Sequence, residues 1–236
     1  MRGTLLNTAT VATGAIVGGL AGNVIPPGYH SIALNGLGLV TSLIGVRMFF
    51  QSKNAVVVVA AIALGGILGA ALGISHMFYV FSEWARQHLG GGGTFNQTLI
   101  GTSVLFCVGP MTLLGCLQDG IEGKFEILAL KSTLDGIAAI FFAAVDSKGV
   151  LATALVVLVV QGTLTLAARR LQKFAKDEHL IAEATAAGGA LILATGLGLL
   201  EIKKMPVETY LPALILAPVF AAIARRLSKA EEVSLA

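Results

Sequence analysis

Eight apolar stretches of about twenty residues follow one another along the chain, and that length decides what it can fold into. They are Thr4–Gly22, Ile32–Phe50, Ala55–Ile74, Gln97–Leu117, Phe125–Val145, Gly149–Ala168, Ile181–Leu200 and Pro206–Ala224. A bilayer's hydrocarbon core is ~30 Å thick, and a helix rising ~1.5 Å per residue needs roughly 20 apolar residues to cross it. In lipid the backbone must satisfy its own hydrogen bonds, so the expected fold class is all-α, a polytopic bundle of transmembrane helices. The breaks between stretches carry turn or charge signals: Asn-Val-Ile-Pro-Pro-Gly at 23–28, Gln-Ser-Lys-Asn at 51–54, Asp-Gly at 119–120 and Asp-Ser-Lys-Gly at 146–149. Seven spans with one re-entrant segment is the competing count.

Composition agrees. Charged residues are 12% of the chain and the hydrophobic set 56%. A soluble domain carries about 25% charged residues. Half that is too little to coat a globule of this size, which argues against a soluble enzyme, a disordered chain and a nucleic-acid binder. The net charge of +3 follows from Lys and Arg in the loops. Asn7, Thr8, Thr10 and Thr13 interrupt the apolar core that a cleaved signal peptide needs, so the first stretch reads as a retained span. Cys107 and Cys116 fall on opposite faces of one helix and cannot bridge each other, and no Cys/His spacing points to a metal. No cofactor is expected.

With eight spans both termini lie on one side. Of the 16 Lys and Arg, 12 then share that side: Arg2, Arg47, Lys53, Lys124, Lys131, Arg169, Arg170, Lys173, Lys176, Arg225, Arg226 and Lys229. Arg86, Lys148, Lys203 and Lys204 take the other. Positive charge stays in the cytoplasm, so both termini are expected there. The reading is one transmembrane domain over 1–236. It divides into a three-helix repeat at 1–75, an interfacial helix and glycine-rich linker at 76–96, a central pair at 97–146 and a second three-helix repeat at 147–236. The segment His76–Leu89, with Met77, Phe81, Trp84 and His88 at helical spacing, reads as an amphipathic helix in the outer interface. Leu171–Leu180 reads as a second, cytoplasmic one.

Two glycine patterns stand out. Gly14, Gly18 and Gly22, and again Gly65, Gly69 and Gly73, line one helix face at every fourth position. Such faces let backbones approach closely. They join spans one and three or two copies in a homodimer, and the pattern does not choose. Gly38, Gly45 and Lys53 are echoed 151 positions later by Gly189, Gly196 and Lys204. Five steps separate the equivalent spans, which therefore run oppositely, as in an inverted repeat.

Charge inside a span is the functional signal. Arg47, Glu126, Glu183 and Glu208 lie near span ends and are expected to reach the interface. Lys131 and Asp135 lie deep in span five, four residues apart on one face, with Ser132 beside them. Ionisable groups at that depth cost several kcal/mol unless paired or wetted. Span four is expected to kink or unwind at Gly109-Pro110, because Pro110 cannot donate to the Phe106 carbonyl. The freed carbonyls are candidate cation ligands, or the break is a plain proline kink. By depth alone, Asn7, Gln118, Asp119, Lys131 and Gln161 line a cytoplasmic vestibule narrowing toward Asp135 and the break.

The stretches Gly3–Val11, Phe106–Met111, Gln118–Gly120, Lys131–Gly136, Ala187–Leu197 and Pro212–Pro218 resemble the YqgA/YdfK-like bacterial membrane proteins, the domain of unknown function 554. The resemblance covers almost the whole chain. It implies a bacterial inner membrane and a transporter-like role with no established substrate. Its Lys-Ser-x-Leu-Asp motif falls on Lys131, Ser132 and Asp135. The leading expectation is a transporter or channel for a small ion or solute in the lipid bilayer, not an enzyme, with no nucleic-acid partner. Its site is Asp135, Lys131, Ser132, Asp119, Gln118, Asn7, Gln161, Gly109 and Pro110. The alternative is a non-transporting scaffold whose ion pair and glycine stripes serve packing.

Overall fold

The computed structural model describes residues 1–22, 24, 27–170 and 177–235. Among them every regular element is helical: α1 (Arg2–Gly22), α2 (Pro27–Phe49), α3 (Ala55–Ala71), α4 (Ile74–Leu89), α5 (Phe95–Cys107), α6 (Pro110–Glu122), α7 (Glu126–Leu166), α8 (Glu178–Leu199), a 3-10 turn Val207–Tyr210 and α9 (Ala213–Leu235). By length and composition four are able to cross a membrane: α1, α7, α8 and the segment Val207–Leu227. The count reaches six when two bent pairs, α3 with α4 at 65° and α5 with α6 at 60°, are each one span. The helical, membrane-type architecture is thus as the apolar stretches require.

Helix α7 has 41 residues, which at ~1.5 Å each would be about 60 Å, twice the hydrocarbon core. It is two arms. Asp146 leaves the helix with φ −147° and ψ 85°, and there the chain reverses. Leu128 in the first arm faces Gly3, while Thr165 in the second bonds Thr4, so both far ends return to the start of α1. The reversal is fastened by side chains. Asp146 Oδ1 accepts from the Gly149 N–H at 3.0 Å, which caps the second arm, and Oδ2 accepts from the Thr94 hydroxyl at 3.0 Å. Lys148 donates to the Gly90 carbonyl at 2.7 Å.

Helix α1 runs parallel to the first arm and antiparallel to the second. Gly14 and Gly18 meet residues 136–143 so closely that a Cβ on either would strike backbone of the first arm. Gly65 and Gly69 approach Ala213 and Thr209 in the same way. Both stripes are therefore filled within the chain, and neither joins α1 to α3. The expected dimer faces are already covered. Gly73 does not belong to its stripe: at φ +66° it turns the chain from α3 into α4. The echoed glycines pack on each other. Antiparallel α2 and α8 bring Gly38 against Gly196 and Gly45 against Gly189. Helices α3 and α9 are also antiparallel and bury Val58, Ala61 and Ala217 with Ala186 and Ala187 of α8.

Long-range bonds sort the connections into two ends. Asp119, Leu128 and Thr165 gather around residues 1–4. At that same end Ser52, Lys53 and Asn54 bond Glu183, and Arg225 pairs with Asp177 at 2.7 Å. The opposite end holds the Asp146 turn, Gly90 and the Ser75–Thr209 hydroxyl pair.

The expected break in span four is present: the span is two helices, because Gly109 adopts φ +139° between them. Other placements are not specified by the apolar stretches. Glu183, near its span end, is covered by the connection between α2 and α3. It is 1% exposed and accepts from the Ser52 hydroxyl (2.6 Å) and from the Lys53 (2.7 Å) and Asn54 (2.8 Å) N–H groups. In α4, Phe81 and Ala85 pack on Phe95, Leu99 and Ala152, whereas Met77 and Trp84 of the expected stripe are exposed. Of the expected helix at Leu171–Leu180, residues 171–176 lie outside the described residues, and Glu178–Leu180 is the first turn of α8.

Candidate functional site

The contact of α1 with both arms of α7 builds a layer of buried polar side chains about two turns in from Met1. Lys131 and Asp135 are one turn apart on the first arm. Lys131 Nζ donates to Asp135 Oδ1 at 2.8 Å, with both side chains over nine-tenths buried. Parallel packing lays α1 alongside, and Asn7 Nδ2 donates to Asp135 Oδ2 at 2.9 Å. Both carboxylate oxygens are thus engaged by side chains from two elements.

The second arm supplies the rest. The hydroxyls of Thr4 and Thr165 are 3.0 Å apart. One turn up from Thr165, the antiparallel register carries Gln161 to the level of Asn7. Gln161 and Asn7 are both 0% exposed. Among the described residues, Asn7 Oδ1, Gln161 Oε1 and Gln161 Nε2 have no hydrogen-bond partner. Buried polar groups are nearly always paired with protein or water, and each left bare costs about 1–3 kcal/mol. The layer therefore offers two acceptors and one donor to something that the side chains do not provide, next to a charge pair.

The remaining expected site residues fall elsewhere. Asp119 sits one layer nearer the chain start, where Oδ2 accepts from the Gly3 N–H and Oδ1 meets the Met1 ammonium, both at 2.9 Å. That satisfies an open N–H in the first turn of α1 and ties α6 to it. Gln118 Oε1 faces the start of α7, 3.4 Å from the Ile127 N–H. Ser132 Oγ donates back to the Leu128 carbonyl at 2.6 Å and makes no bond to Asp135. Gly109 borders an apolar groove rather than the polar layer. Pro110 opens α6, and the Phe106 carbonyl that it cannot serve accepts from the Thr112 hydroxyl at 3.2 Å. That carbonyl is not a free cation ligand.

The structure thus bonds Asn7, Lys131 and Asp135 together, sets Gln161 at the same level by register, and leaves Gln118, Asp119, Ser132, Gly109 and Pro110 outside. Thr4 and Thr165 were missed as neighbours of the layer. Among the described residues no three His, Cys, Asp or Glu side chains gather to hold a metal ion. What the layer can do is bind a small polar species through amides and carboxylate, with Lys131 balancing the charge of Asp135.

Comparison with known proteins agrees on family and leaves function open. The family model described as "Protein of unknown function (DUF554)" matches residues 2–222. "Uncharacterized membrane protein YdfK" of Bacillus subtilis is 32% identical, over 93% of this chain and 95% of its own length. "Uncharacterized protein YqgA" of Escherichia coli is 29% identical, over 91% of this chain and 94% of its own. No solved structure matches the chain.

Proposed function

This chain belongs to the DUF554 family of helical membrane proteins, and from the geometry above we propose that it is a transporter or channel for a small ion or polar solute. The observation that carries the reading is the trio of unpartnered, fully buried atoms on Asn7 and Gln161 beside the Lys131–Asp135 pair. Buried polar atoms are nearly always paired with protein or water, so these three call for a bound partner. A passing solute or its water supplies their partners. The reading assigns no catalytic step to the chain.

The architecture supports it. Counting the two arms of α7 separately and the bent pair α5 with α6 once, α1, α2, α3, α5 with α6, α8 and α9 complete eight crossings of an inner membrane. Helix α4 lies along the outer interface. The excess of Lys and Arg at the end bearing Met1 supports a cytoplasmic side for both termini. The antiparallel pairs α1 with the second arm, α2 with α8, and α3 with α9 relate the first three crossings to the last three. The reciprocal Gly38–Gly196 and Gly45–Gly189 contacts lie where the two-fold axis of an inverted repeat would pass.

The test is flux in proteoliposomes. The wild type should show an ion or proton conductance above empty liposomes, and Asp135→Asn should remove it per folded molecule in monodisperse detergent-purified protein, as should Lys131→Met/Asp135→Leu, which leaves no lone buried charge and so keeps more of its stability. Undiminished flux in either variant overturns the site. Absence of flux for protons, alkali cations and halides overturns the ionic form of the reading. A scaffold reading draws on one observation, that both Asp135 oxygens are already paired. It predicts that Asp135→Asn alters stability alone.

A further inference from the structure

On the other side of the broken α5–α6 helix lies a cavity of about 670 Å³, open along one side. One wall is the second arm of α7, through Val156, Val160 and Leu164, and the facing wall is α9, through Ile215, Val219 and Ala222. The floor is where α5 ends and Gly109 turns the chain. A Cβ at Gly109 would meet only the Met48 methyl at 3.8 Å, so the break itself leaves this side unfilled. The lining is apolar apart from Ser103, Thr185 and Glu208, the last at the end away from Met1. From Leu211, just before α9, to Ala222 the lining runs about 16 Å at helical rise, which matches the ~15 Å of hydrocarbon in one leaflet.

Charge selects the occupant. Both walls finish, at the end bearing Met1, in a pair of arginines: Arg169 and Arg170 after the second arm, Arg225 and Arg226 on α9. Arg225 is taken by Asp177 at 2.7 Å. Arg169, Arg170 and Arg226 are exposed and, among the described residues, have no carboxylate partner. They stand one to two turns beyond the last apolar wall residues, Leu164 and Ala222, at the height of a headgroup. Basic residues at the cytoplasmic mouth of a cleft between spans recognise phosphate headgroups. A second copy of the chain, related by a two-fold axis along the membrane normal, would instead bring an identical basic rim against this one.

We propose that this groove is a binding site for an anionic phospholipid, with an acyl chain between α9 and the second arm of α7 and the phosphate held by Arg170 and Arg226. The proposal stands apart from the polar layer and does not need transport.

The experiment uses the full chain in detergent, delipidated and then offered phosphatidylglycerol or phosphatidylcholine of identical acyl chains, with bound lipid counted by native mass spectrometry. Phosphatidylglycerol should be retained in preference. The double variant Arg170→Gln/Arg226→Gln should lose that preference, weakening phosphatidylglycerol binding about thirty-fold and phosphatidylcholine binding little. Ala222→Trp, which fills the groove and keeps every arginine, should displace both lipids. Equal retention of the two lipids by the wild type overturns the proposal, as does a preference that survives the double arginine variant. A dimer that Ala222→Trp converts to monomer overturns it in favour of a second copy. Competition by glycerol phosphate as strong as by the intact lipid overturns the acyl part.

Discussion

Among the described residues four carboxylates are buried: Asp119, Asp135, Asp146 and Glu183. Asp119 bonds the Gly3 N–H and the Met1 ammonium at the chain start, and the other three are held in two different ways. Glu183 and Asp146 sit at opposite ends, each bonded to a connecting segment: Glu183 to residues 52–54, Asp146 to Gly149 and Thr94. Their partners are mainly backbone N–H groups that a turn would otherwise leave bare. Asp135 sits between the ends, and its partners are the side chains of Lys131 and Asn7. Among the described residues five buried side-chain atoms lack a partner: three on Asn7 and Gln161 in the layer of Asp135, and one each on Asn96 and Ser103 of α5. Burial and charge are common to all three. Saturation by backbone marks a fastening, and side-chain partners beside unpaired amides mark a site.

Removing one member of the charge pair should have the largest effect. Lys131→Met leaves Asp135 buried without its cation and should cost about 3–5 kcal/mol, or leave little folded protein, in a detergent unfolding series. The double variant Lys131→Met/Asp135→Leu should regain most of that stability, because no lone charge remains, and should carry no flux. If the single variant is as stable as wild type, the layer is wet enough in its resting state to screen Asp135.

Glu183→Ala comes next, at about 2–3 kcal/mol, since three donors at residues 52–54 lose their acceptor and only part of them can turn to water. Glu183→Gln should recover most of the loss. Its amide oxygen can take both N–H groups while its amide nitrogen turns to Ser52. Flux per folded molecule should stay at wild-type level in Glu183→Gln and vanish in Asp135→Asn. The same carboxylate-to-amide change then reads out the two roles. Equal losses of flux in both would erase the distinction drawn between a fastening and a site.

Depth in the sequence found Asp135 but not Glu183, and the reason is physical. A span's length and its polar interruptions are local. The apolar stretches, the reversal at Asp146, the break at Gly109-Pro110 and the four-residue spacing of Lys131 and Asp135 could all be read without neighbours. What surrounds a side chain depends on helix rotation and on partners more than a hundred positions away. Glu183 lies near a span end, where an exposed glutamate is ordinary, and only the fold of residues 51–54 over it makes it buried. Ser132 shares a face with Asp135 yet turns to its own helix. The glycine stripes declared close packing correctly but not with whom, because any smooth face would serve. Asn7 and Gln161 were placed by depth at the same level, and the register of α1 between the two arms then brought them together.

Asp146→Ala should cost about 1–2 kcal/mol, the loss of a helix cap with the Thr94 hydroxyl stranded, and should loosen the turn between the arms. Hydrogen exchange at residues 147–150 should rise several-fold, with exchange at 131–135 unchanged. Faster exchange at both places would mean that the turn and the polar layer open as one unit, and that Asp146 belongs to the site after all.

The smallest change in stability is expected at Gln161, and its sign separates the readings most sharply. Gln161→Leu removes two buried atoms that have no partner and keeps nearly the same volume. If the layer served packing alone, this substitution would improve it. The unfolding midpoint should therefore hold or rise, by up to about 1–2 kcal/mol. Flux should fall nonetheless, because the amide is what the passing species meets beside Asp135. A gain in stability together with a loss of flux is the pattern of a residue kept for function at the expense of the fold. A loss of stability would show that Gln161 already bonds a fixed water that belongs to the structure, and the layer would then be counted with Glu183 and Asp146 as a fastening.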